Sequence, residues 1–386
     1  MPVYLDHNAT TALAPEVLDA MLPYLRRPYG NPSSVHRYGR AARDAIERAR
    51  AQLAALVNCQ PAEIIWTSGG SEANNLALRG VSALQSGRRL LYGSTEHPAV
   101  LETAEALARQ GRADCDRCQG TATAAVPVDN NGLVDQQALS ELAAATPLTL
   151  ISLMRANNET GVIQDLAPAV DAARQHQALV HSDCVQALGK MPLDFAAMNL
   201  DLMSLSAHKI FGPKGAGALV LRGGVDLQPQ IAGGGQERGL RGGTENLPAI
   251  VGFGAAAERA QSQLESWTQQ CGALRQQLEQ GLAQLEGVVI HAQTVARLAN
   301  TCQFSVPGYD GETLTMALDR HGLAVSSGSA CSSGKGQPSH VLLAMGVPEA
   351  LAQSAVRVSF GPDNGAEDVE QLLAALRELR PGRAVA

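Results

Sequence analysis

The sequence lacks the features that mark membrane proteins and nucleic-acid-binding proteins. No uninterrupted apolar run in its 386 residues approaches the roughly 20 residues needed to cross a bilayer. Basic residues occur only in short groups such as Arg26-Arg27 and Arg88-Arg89, and 37 acidic residues against 30 basic ones give a net charge of −7. Such a charge does not attract a phosphate backbone, so we expect a small-molecule or protein substrate and no nucleic acid or membrane partner.

The sequence also lacks a secretion signal and a disulfide pattern. The opening MPVYLDHNATT has neither a basic n-region nor an apolar h-region, which predicts a cytoplasmic protein. The cysteines are odd in number and scattered, at positions 59, 115, 118, 184, 271, 302 and 331. Dispersed thiols without a signal peptide are expected to be reduced, and one of them is free to be chemically active.

The hydrophobic pattern predicts two domains of different class. Between residues 37 and 255, helical patterns alternate with short apolar runs, which is typical of an α/β domain with a mainly parallel, seven-stranded sheet between helices. A long helical segment then runs to about residue 285, followed by short strands and helices. We therefore predict a large domain over 13–255 and a smaller α+β domain formed by 1–12 and 256–386.

A strand, a glycine turn and a helix follow one another in IIWTSGGSEANNLAL, residues 64–78. The free N–H groups at the start of such a helix bind phosphate, and Ser71 is placed to cap it. The stretch fits neither the G-x-G-x-x-G motif nor the P-loop, so by itself it is weak evidence.

Two other predicted strand ends carry an acid and an amine. Asp183, in HSDCVQALGK, is either a helix cap or a functional carboxylate, and Lys209, in SLSAHK, is either a surface charge or a Schiff-base lysine. A phosphate cradle, a carboxylate for a pyridinium nitrogen and an amine for an aldehyde are together what pyridoxal phosphate requires.

Two further residues have a plain and a functional interpretation. His97 either caps the helix that begins near Pro98 or lies on the cofactor ring as an acid–base group, and its position alone favours the cap. Cys331 lies in AVSSGSACSSGKGQ, residues 324–337, a composition of small polar residues that is typical of a flexible linker. It is either a linker cysteine without a role or a nucleophile on a mobile segment.

The sequence resembles the cysteine desulfurases, which belong to the fold-type I, class V aminotransferase-like branch of pyridoxal-phosphate enzymes. The resemblance extends from Tyr4 to Gly361 and rests on these stretches, in order: YLDHNATT, TSGGSEANN, TEHPAV, NNETG, HSDCVQ, SAHKIFGPKG, GGGQERGLRGGTEN, SSGSACSS and VRVSFG.

The resemblance implies a role for each matching residue. Lys209 would hold the cofactor as a Schiff base and move the substrate's Cα proton, with His97 stacked on the ring in place of the cap. Asp183 would pair with the ring nitrogen and Gln186 with the ring hydroxyl. The phosphate would be held by Gly70, Ser71, Ser206 and His208, and by Thr244 from the partner subunit of a homodimer. Asn158 and Arg357 would bind the substrate carboxylate.

The same resemblance implies the reaction. Cys331 would attack the sulfur of cofactor-bound L-cysteine, keep it as a persulfide and release L-alanine, and the sulfur would pass to an acceptor such as an iron–sulfur scaffold or a thio-cofactor pathway. A selenocysteine lyase or another β-eliminating lyase is one alternative, and a non-enzymatic persulfide carrier is a second. We expect no metal site, because Cys115 and Cys118 form a lone C-x-x-C without a second ligand pair; they are either exposed thiols or a redox or sulfur-relay pair.

Overall fold

A computed structural model describes residues 2–27, 29–85, 88–113, 121–145, 147–328 and 337–379. The predicted nucleophile Cys331 and the Cys115 and Cys118 pair lie outside the described residues.

The strands and helices alternate along the first part of the chain, as the hydrophobic pattern predicts. The strands are β1 (Val3–Tyr4), β2 (Ile64–Thr67), β3 (Arg89–Gly93), β4 (Ala122–Val126), β5 (Leu148–Ser152), β6 (Leu179–Asp183), β7 (Leu202–Ser206), β8 (Gly217–Leu221), β9 (Val289–Ile290), β10 (Thr301–Ser305), β11 (Leu323–Ala324), β12 (Ser326–Ser327) and β13 (Ala355–Ser359). The helices are α1 (Pro15–Arg26), α2 (Arg37–Val57), α3 (Gly70–Ser82), α4 (Pro98–Ala113), α5 (Gln136–Ala144), α6 (Ala167–Gln175), α7 (Leu247–Leu282), α8 (Gly311–Arg320), α9 (His340–Ala344), α10 (Glu349–Gln353) and α11 (Ala366–Glu378).

The larger sheet has seven strands in the order β2-β8-β7-β6-β5-β3-β4. All are parallel except β8, which runs antiparallel to both neighbours. Strands β2, β5, β7 and β8 are buried along their whole length, because helices cover both faces. This arrangement confirms the predicted α/β class.

Register places the carboxyl ends of the parallel strands at one edge of this sheet. In the pair β6 and β7, Asp183 lies opposite Ser204, so the chain leaves both strands on the same side. Ligand sites of open α/β sheets form at this edge.

A second, smaller sheet is antiparallel and has the order β12-β13-β10-β9. Its core contains Leu5, Trp267, Phe304, Val358 and Leu372, separate from the cores on the two faces of the larger sheet. Since Leu5 packs in this second core, we keep the proposal that the first dozen residues belong with the smaller domain.

The 36-residue helix α7 runs through both parts of the fold. Its first half packs with the larger sheet through residues such as Phe253, and its second half packs with the smaller sheet through residues such as Trp267. None of the described helices, α7 included, is both long enough and apolar enough to span a membrane.

Candidate active site

A cavity of about 300 Å³ opens at the carboxyl edge of the larger sheet. That volume is at the lower end of the range of roughly 300–1,000 Å³ for small-molecule sites. Most of the predicted site residues line it: Gly70, Ser71, His97, Asn158, Asp183, Gln186, Ser206, His208, Lys209 and Arg357.

One wall of the cavity is the N-terminus of helix α3. The first intrahelical hydrogen bond runs from Ala73 N to Gly69 O, so the N–H groups of Gly70 and Ser71 have no acceptor within the helix. A Cβ atom on Gly70 would lie 2.6 Å from Val185 Cγ2, so glycine permits the close approach of this turn to the segment after β6. The prediction that Ser71 caps the helix is wrong, because Gly69 occupies the N-cap position and Ser71 lies inside the first turn.

Ser206 and His208 lie opposite this helix end, where β7 leaves the sheet. The Ser206 hydroxyl is buried and has no hydrogen-bond partner among the described residues. His208 Nδ1 lies 3.1 Å from Thr10 Oγ1. Burial, reinforced by nearby lysines including Lys209, lowers the pKa of His208 to about 4, so its ring is neutral at pH 7.

Asp183 is fixed by a hydrogen bond to each carboxylate oxygen. Val185 N donates to Oδ1 at 2.9 Å, and Asn74 Nδ2 donates to Oδ2 at 2.6 Å. Asn74 lies one helical turn after Gly70 on α3, so the helix that offers N–H groups also orients the carboxylate. The Asp183 side chain is thereby both a local turn cap and a wall of the cavity.

His97 joins the two roles that the sequence presented as alternatives. Its Nδ1 accepts a hydrogen bond from Ala99 N at 3.1 Å, which is a cap on the first turn of α4, and its ring lines the cavity. Burial lowers the pKa of His97, Asp183 opposes this shift, and Lys209 adds to it. A neutral ring that accepts at Nδ1 carries its proton on Nε2.

The amine of Lys209 lies against backbone carbonyl groups of the N-terminal segment. Its Nζ donates to Asn8 O at 2.5 Å and to Ala9 O at 2.7 Å. Residues 8 and 9 therefore place the amine at the cavity, a contribution that no side-chain motif identifies.

The smaller sheet supplies the opposite wall through Arg357 on β13. Arg357 is 1% exposed; one Nη of its guanidinium donates to Asn158 O at 2.9 Å and the other to Asp6 Oδ1 at 2.6 Å. The buried Nε has no hydrogen-bond partner among the described residues.

Gln186 takes part in a buried amide network. Its Nε2 donates to Asn8 O at 2.9 Å, and its Oε1 accepts from Lys190 Nζ at 2.7 Å. Lys190 Nζ also donates to Asn8 Oδ1 at 2.8 Å. Sequence reasoning identified Gln186 from a motif and missed Asn8 and Lys190, whose contacts run between segments far apart in the chain.

Thr244 does not line this cavity. It borders a second cavity of about 160 Å³ beside Trp66 and Ser68. The segment that carries it is fixed by two ion pairs, Arg241 with Glu72 and the buried pair of Arg50 with Glu237.

The donor set fits pyridoxal phosphate. Free N–H groups and the unpartnered Ser206 hydroxyl suit a phosphate, the fixed Asp183 carboxylate suits a pyridinium nitrogen, and Lys209 suits an aldehyde. Within the described ranges, no three His, Cys, Asp or Glu side chains are placed to hold a metal ion.

Comparison with known proteins identifies the family of the chain. Residues 3–372 match the family described as Aminotransferase class-V. A protein named cysteine desulfurase from Cereibacter sphaeroides is 45% identical over 378 residues, which is 97% of this chain and 94% of the relative. One named cysteine desulfurase IscS from Methanosarcina thermophila is 39% identical, covering 98% of this chain and 91% of the relative.

Solved structures show the same fold. A NifS-like protein superposes with a TM-score of 0.89 at 37% identity, covering 98% of this chain and 99% of that one. A structure described as SspA in complex with cysteine superposes with a TM-score of 0.79 at 33% identity, covering 93% of this chain and 99% of that one.

Proposed function

The chain belongs to the class-V aminotransferase family and, within it, to the cysteine desulfurases, and from that premise we propose how its own residues carry out the reaction. L-cysteine loses its sulfur: the Cβ–S bond breaks, an S–S bond forms on Cys331, and the carbon skeleton leaves as L-alanine. One observation carries this assignment. Lys209, Asp183, His97 and Arg357, contributed by both sheets, line a single cavity.

We propose that the cavity binds pyridoxal phosphate. The phosphate would lie between the start of α3 and Ser206, the ring nitrogen would face Asp183, and Lys209 would supply the covalent attachment. When bound, this cofactor supplies an electron sink for the charge that remains at Cα after its proton leaves.

Lys209 and His97 are the groups placed to move protons. The Lys209 amine is held at the cavity by the carbonyl groups of residues 8 and 9, and we propose that it carries a proton between the substrate's Cα and Cβ. His97 has a pKa lowered by burial, so at neutral pH its ring is uncharged, and it can take a proton from the substrate amine or thiol when its Nδ1 gives up the bond from Ala99 N.

Arg357 and Asn158 would orient the substrate by its carboxylate. The guanidinium is already fixed by Asn158 O and Asp6, so binding does not have to order it. A buried cation attracts a carboxylate strongly, and the complex of a related structure with cysteine is consistent with an amino-acid substrate.

The described residues on either side of Cys331 are attached beside the cavity. Ser326 on β12 lies opposite Arg357, and Gly328 N donates to Ala355 O. On the other side, His340 Nε2 lies 2.9 Å from Glu96 O, next to His97. Both described ends of the segment that carries Cys331 are thus attached next to residues that line the cavity, Arg357 and His97.

We propose that the enzyme acts as a homodimer and that the persulfide sulfur passes to a protein acceptor for iron–sulfur cluster or thio-cofactor synthesis. The support for the dimer is the resemblance of the Thr244 segment and the position of Thr244 outside its own subunit's cavity.

The test is product formation from L-cysteine with a thiol reductant. We expect equal amounts of L-alanine and sulfide from wild type and none from Cys331→Ala. Cys59→Ala, which removes a half-buried thiol at the end of α2, is the matched control and should keep wild-type turnover.

The other outcomes separate the alternatives. Products from Cys331→Ala would indicate an eliminating or selenium-directed lyase. No product from cofactor-loaded wild type, together with a persulfide on Cys331 after incubation with a sulfur donor, would indicate a carrier.

A further inference from the structure

Lys190 is a buried lysine near the cavity, and the reaction described above does not use it. Its side chain is 3% exposed and does not line the cavity. Both acceptors of its Nζ, Gln186 Oε1 and Asn8 Oδ1, are neutral amide oxygens, at 2.7 and 2.8 Å. Burying an amine costs free energy unless it has hydrogen-bond partners, and these two amide oxygens supply them.

The position of Lys190 determines which way the Gln186 amide faces. The Lys190 amine is a hydrogen-bond donor, so it attracts the carbonyl oxygen of the Gln186 amide. The backbone carbonyl oxygen of Asn8 is an acceptor, so it attracts the amino group of the same amide. A flipped amide would place its amino group against the Lys190 donor and its oxygen against the Asn8 carbonyl. Gln186 lines the cavity, so the fixed orientation leaves its second amide hydrogen available there.

We propose that Lys190 is a positioning residue that holds the Gln186 amide with its amino group directed at the ring hydroxyl of the cofactor. This inference rests on the proposed pyridoxal-phosphate site. It gives Gln186 the role of a hydrogen-bond donor, which favours the ionised form of the ring hydroxyl.

The groups that face Lys190 indicate that it acts as a donor and not through its charge. Burial lowers its pKa well below the usual value, and the cations of Lys209 and Arg357 lower it further, while Cys271 has a small opposite effect. Its contacts are those of a hydrogen-bond donor, because two amide oxygens accept from Nζ and neither of them bears a charge.

The local structure allows the link to Gln186 to be cut selectively. Asn8 Oδ1 also accepts from Asn300 Nδ2 at 3.0 Å, so it keeps a partner when Lys190 is replaced. Gln186 Oε1 has Lys190 as its donor. Replacing Lys190 with methionine, which is similar in length and cannot donate, therefore releases the amide of Gln186 more than the side chain of Asn8.

The experiment is a double-mutant cycle on full-length protein, read out by cofactor binding and not by turnover. Apo wild type, Lys190→Met, Gln186→Leu and the double variant are titrated with pyridoxal phosphate, and the visible absorbance of each loaded protein is recorded between pH 6 and pH 9. We expect Lys190→Met to weaken cofactor binding about five- to tenfold, the value of one oriented hydrogen bond, and to shift the pH midpoint of the spectrum. In the Gln186→Leu background the same substitution should have no further effect.

Two variants guard against misreading a folding defect. Asn300→Ala disturbs Asn8 without touching the Gln186 amide and should keep the wild-type pH midpoint. Lys190→Gln keeps an N–H donor without a charge. It should keep most of the wild-type affinity for pyridoxal phosphate, and it is measured in place of Lys190→Met if that variant proves too unstable to load.

The outcomes are distinguishable. Wild-type affinity and midpoint in Lys190→Met, or equal losses in both backgrounds, would overturn the role of Lys190 while leaving the proposed function intact. Failure of wild type itself to bind pyridoxal phosphate would overturn the proposed function.

Discussion

Burial sets the protonation of several histidines that have no place in the cavity. His181 is fully buried between two strand neighbours, with Nδ1 2.8 Å from Ser152 Oγ and Nε2 2.9 Å from Ser204 Oγ. Burial lowers its pKa from 6.5 to about 3. His7 and His291 follow the same rule, each with a pKa of about 4.

This depression predicts a loss of stability in mild acid. Below pH 6.5 His181 becomes protonated in the unfolded chain, whereas in the folded protein it stays neutral down to about pH 3. The free energy of unfolding therefore decreases as the pH falls from 6.5 towards 3. At pH 5.5 the effect of His181 alone is about 1.4 kcal/mol. The midpoint of urea unfolding should therefore fall between pH 7.5 and pH 5.5, and fall less in His181→Asn.

An unchanged pH dependence in His181→Asn would contradict the prediction.

The residues that sequence reasoning found and those it missed differ in how they act. In the roles proposed for them, Lys209, Asp183 and His97 use functional groups that are conspicuous at strand ends. Asn8 acts largely through its carbonyl oxygen, which every residue has, and Lys190 acts through the orientation of another side chain. Such roles exist only once distant segments are in contact.

At the scale of elements, helix α7 shows how position decides what a glycine does. A Cβ on Gly254 would lie 2.6 Å from Ala49 Cα of helix α2, so the two helices approach as closely as they do because that side chain is missing. A Cβ on Gly272 of the same helix would have its nearest neighbour at 3.9 Å.

We therefore expect opposite results from the same substitution at the two positions. Gly254→Ala should destabilise the protein by about 1–3 kcal/mol through overpacking. Gly272→Ala should stabilise it by about 0.5–1 kcal/mol through helix propensity alone. Urea unfolding of the two variants beside wild type is the measurement, and a gain in stability for Gly254→Ala would refute the packing argument.

Elements with a clear local pattern were predictable, the short apolar strands of the larger sheet among them, and elements without such a pattern were not. The pattern in RYGRAARDAIERARAQLAALV predicts a helix over 37–57, and helix α2 has these bounds, because its 21 residues carry a clear amphipathic pattern. Helix α1 was not predicted; it contains Pro23, which is typical of a helix end. Strands β1 and β11 have two residues each and pair across more than 300 residues of sequence, so neither leaves a local pattern.

At the scale of the whole molecule, the active site depends on contacts between parts that have separate cores. Lys209 and Asp183 come from the larger sheet, Arg357 from the smaller one, and α7 packs in both cores. The sequence predicts two domains but not how they meet, because the cavity depends on side-chain contacts between residues of the two sheets.

The proposed dimer makes a prediction about mixed subunits. Homodimers of Lys209→Ala should show no visible absorbance from a covalently held cofactor, whereas Lys214→Ala, which removes an exposed lysine five residues away, should look like wild type. Homodimers of Thr244→Val should bind pyridoxal phosphate more weakly, and Thr244→Ser should not.

A mixed dimer of one Lys209→Ala subunit and one Thr244→Val subunit tests whether Thr244 acts across the interface. If it does, the site that keeps Lys209 receives an intact Thr244 from its partner, so half of the sites should bind the cofactor with wild-type affinity. Binding at the weak affinity of the Thr244→Val homodimer would show that Thr244 acts within its own subunit. Differently tagged chains, co-expressed and purified through both tags, provide the sample.

The position of Asn8 has a consequence for biosynthesis. Its side chain bonds Thr301, its backbone N–H bonds Ser359, 351 residues later, and the strand just before it pairs with β11. A ribosome adds about 5–20 residues per second, so the first residues synthesised remain without these partners for roughly 20–70 s. Asn8 O is also an acceptor for Lys209 and Gln186, so the cofactor site is incomplete on a nascent chain. We therefore expect the proposed cofactor site to be completed only after residue 359 has been synthesised.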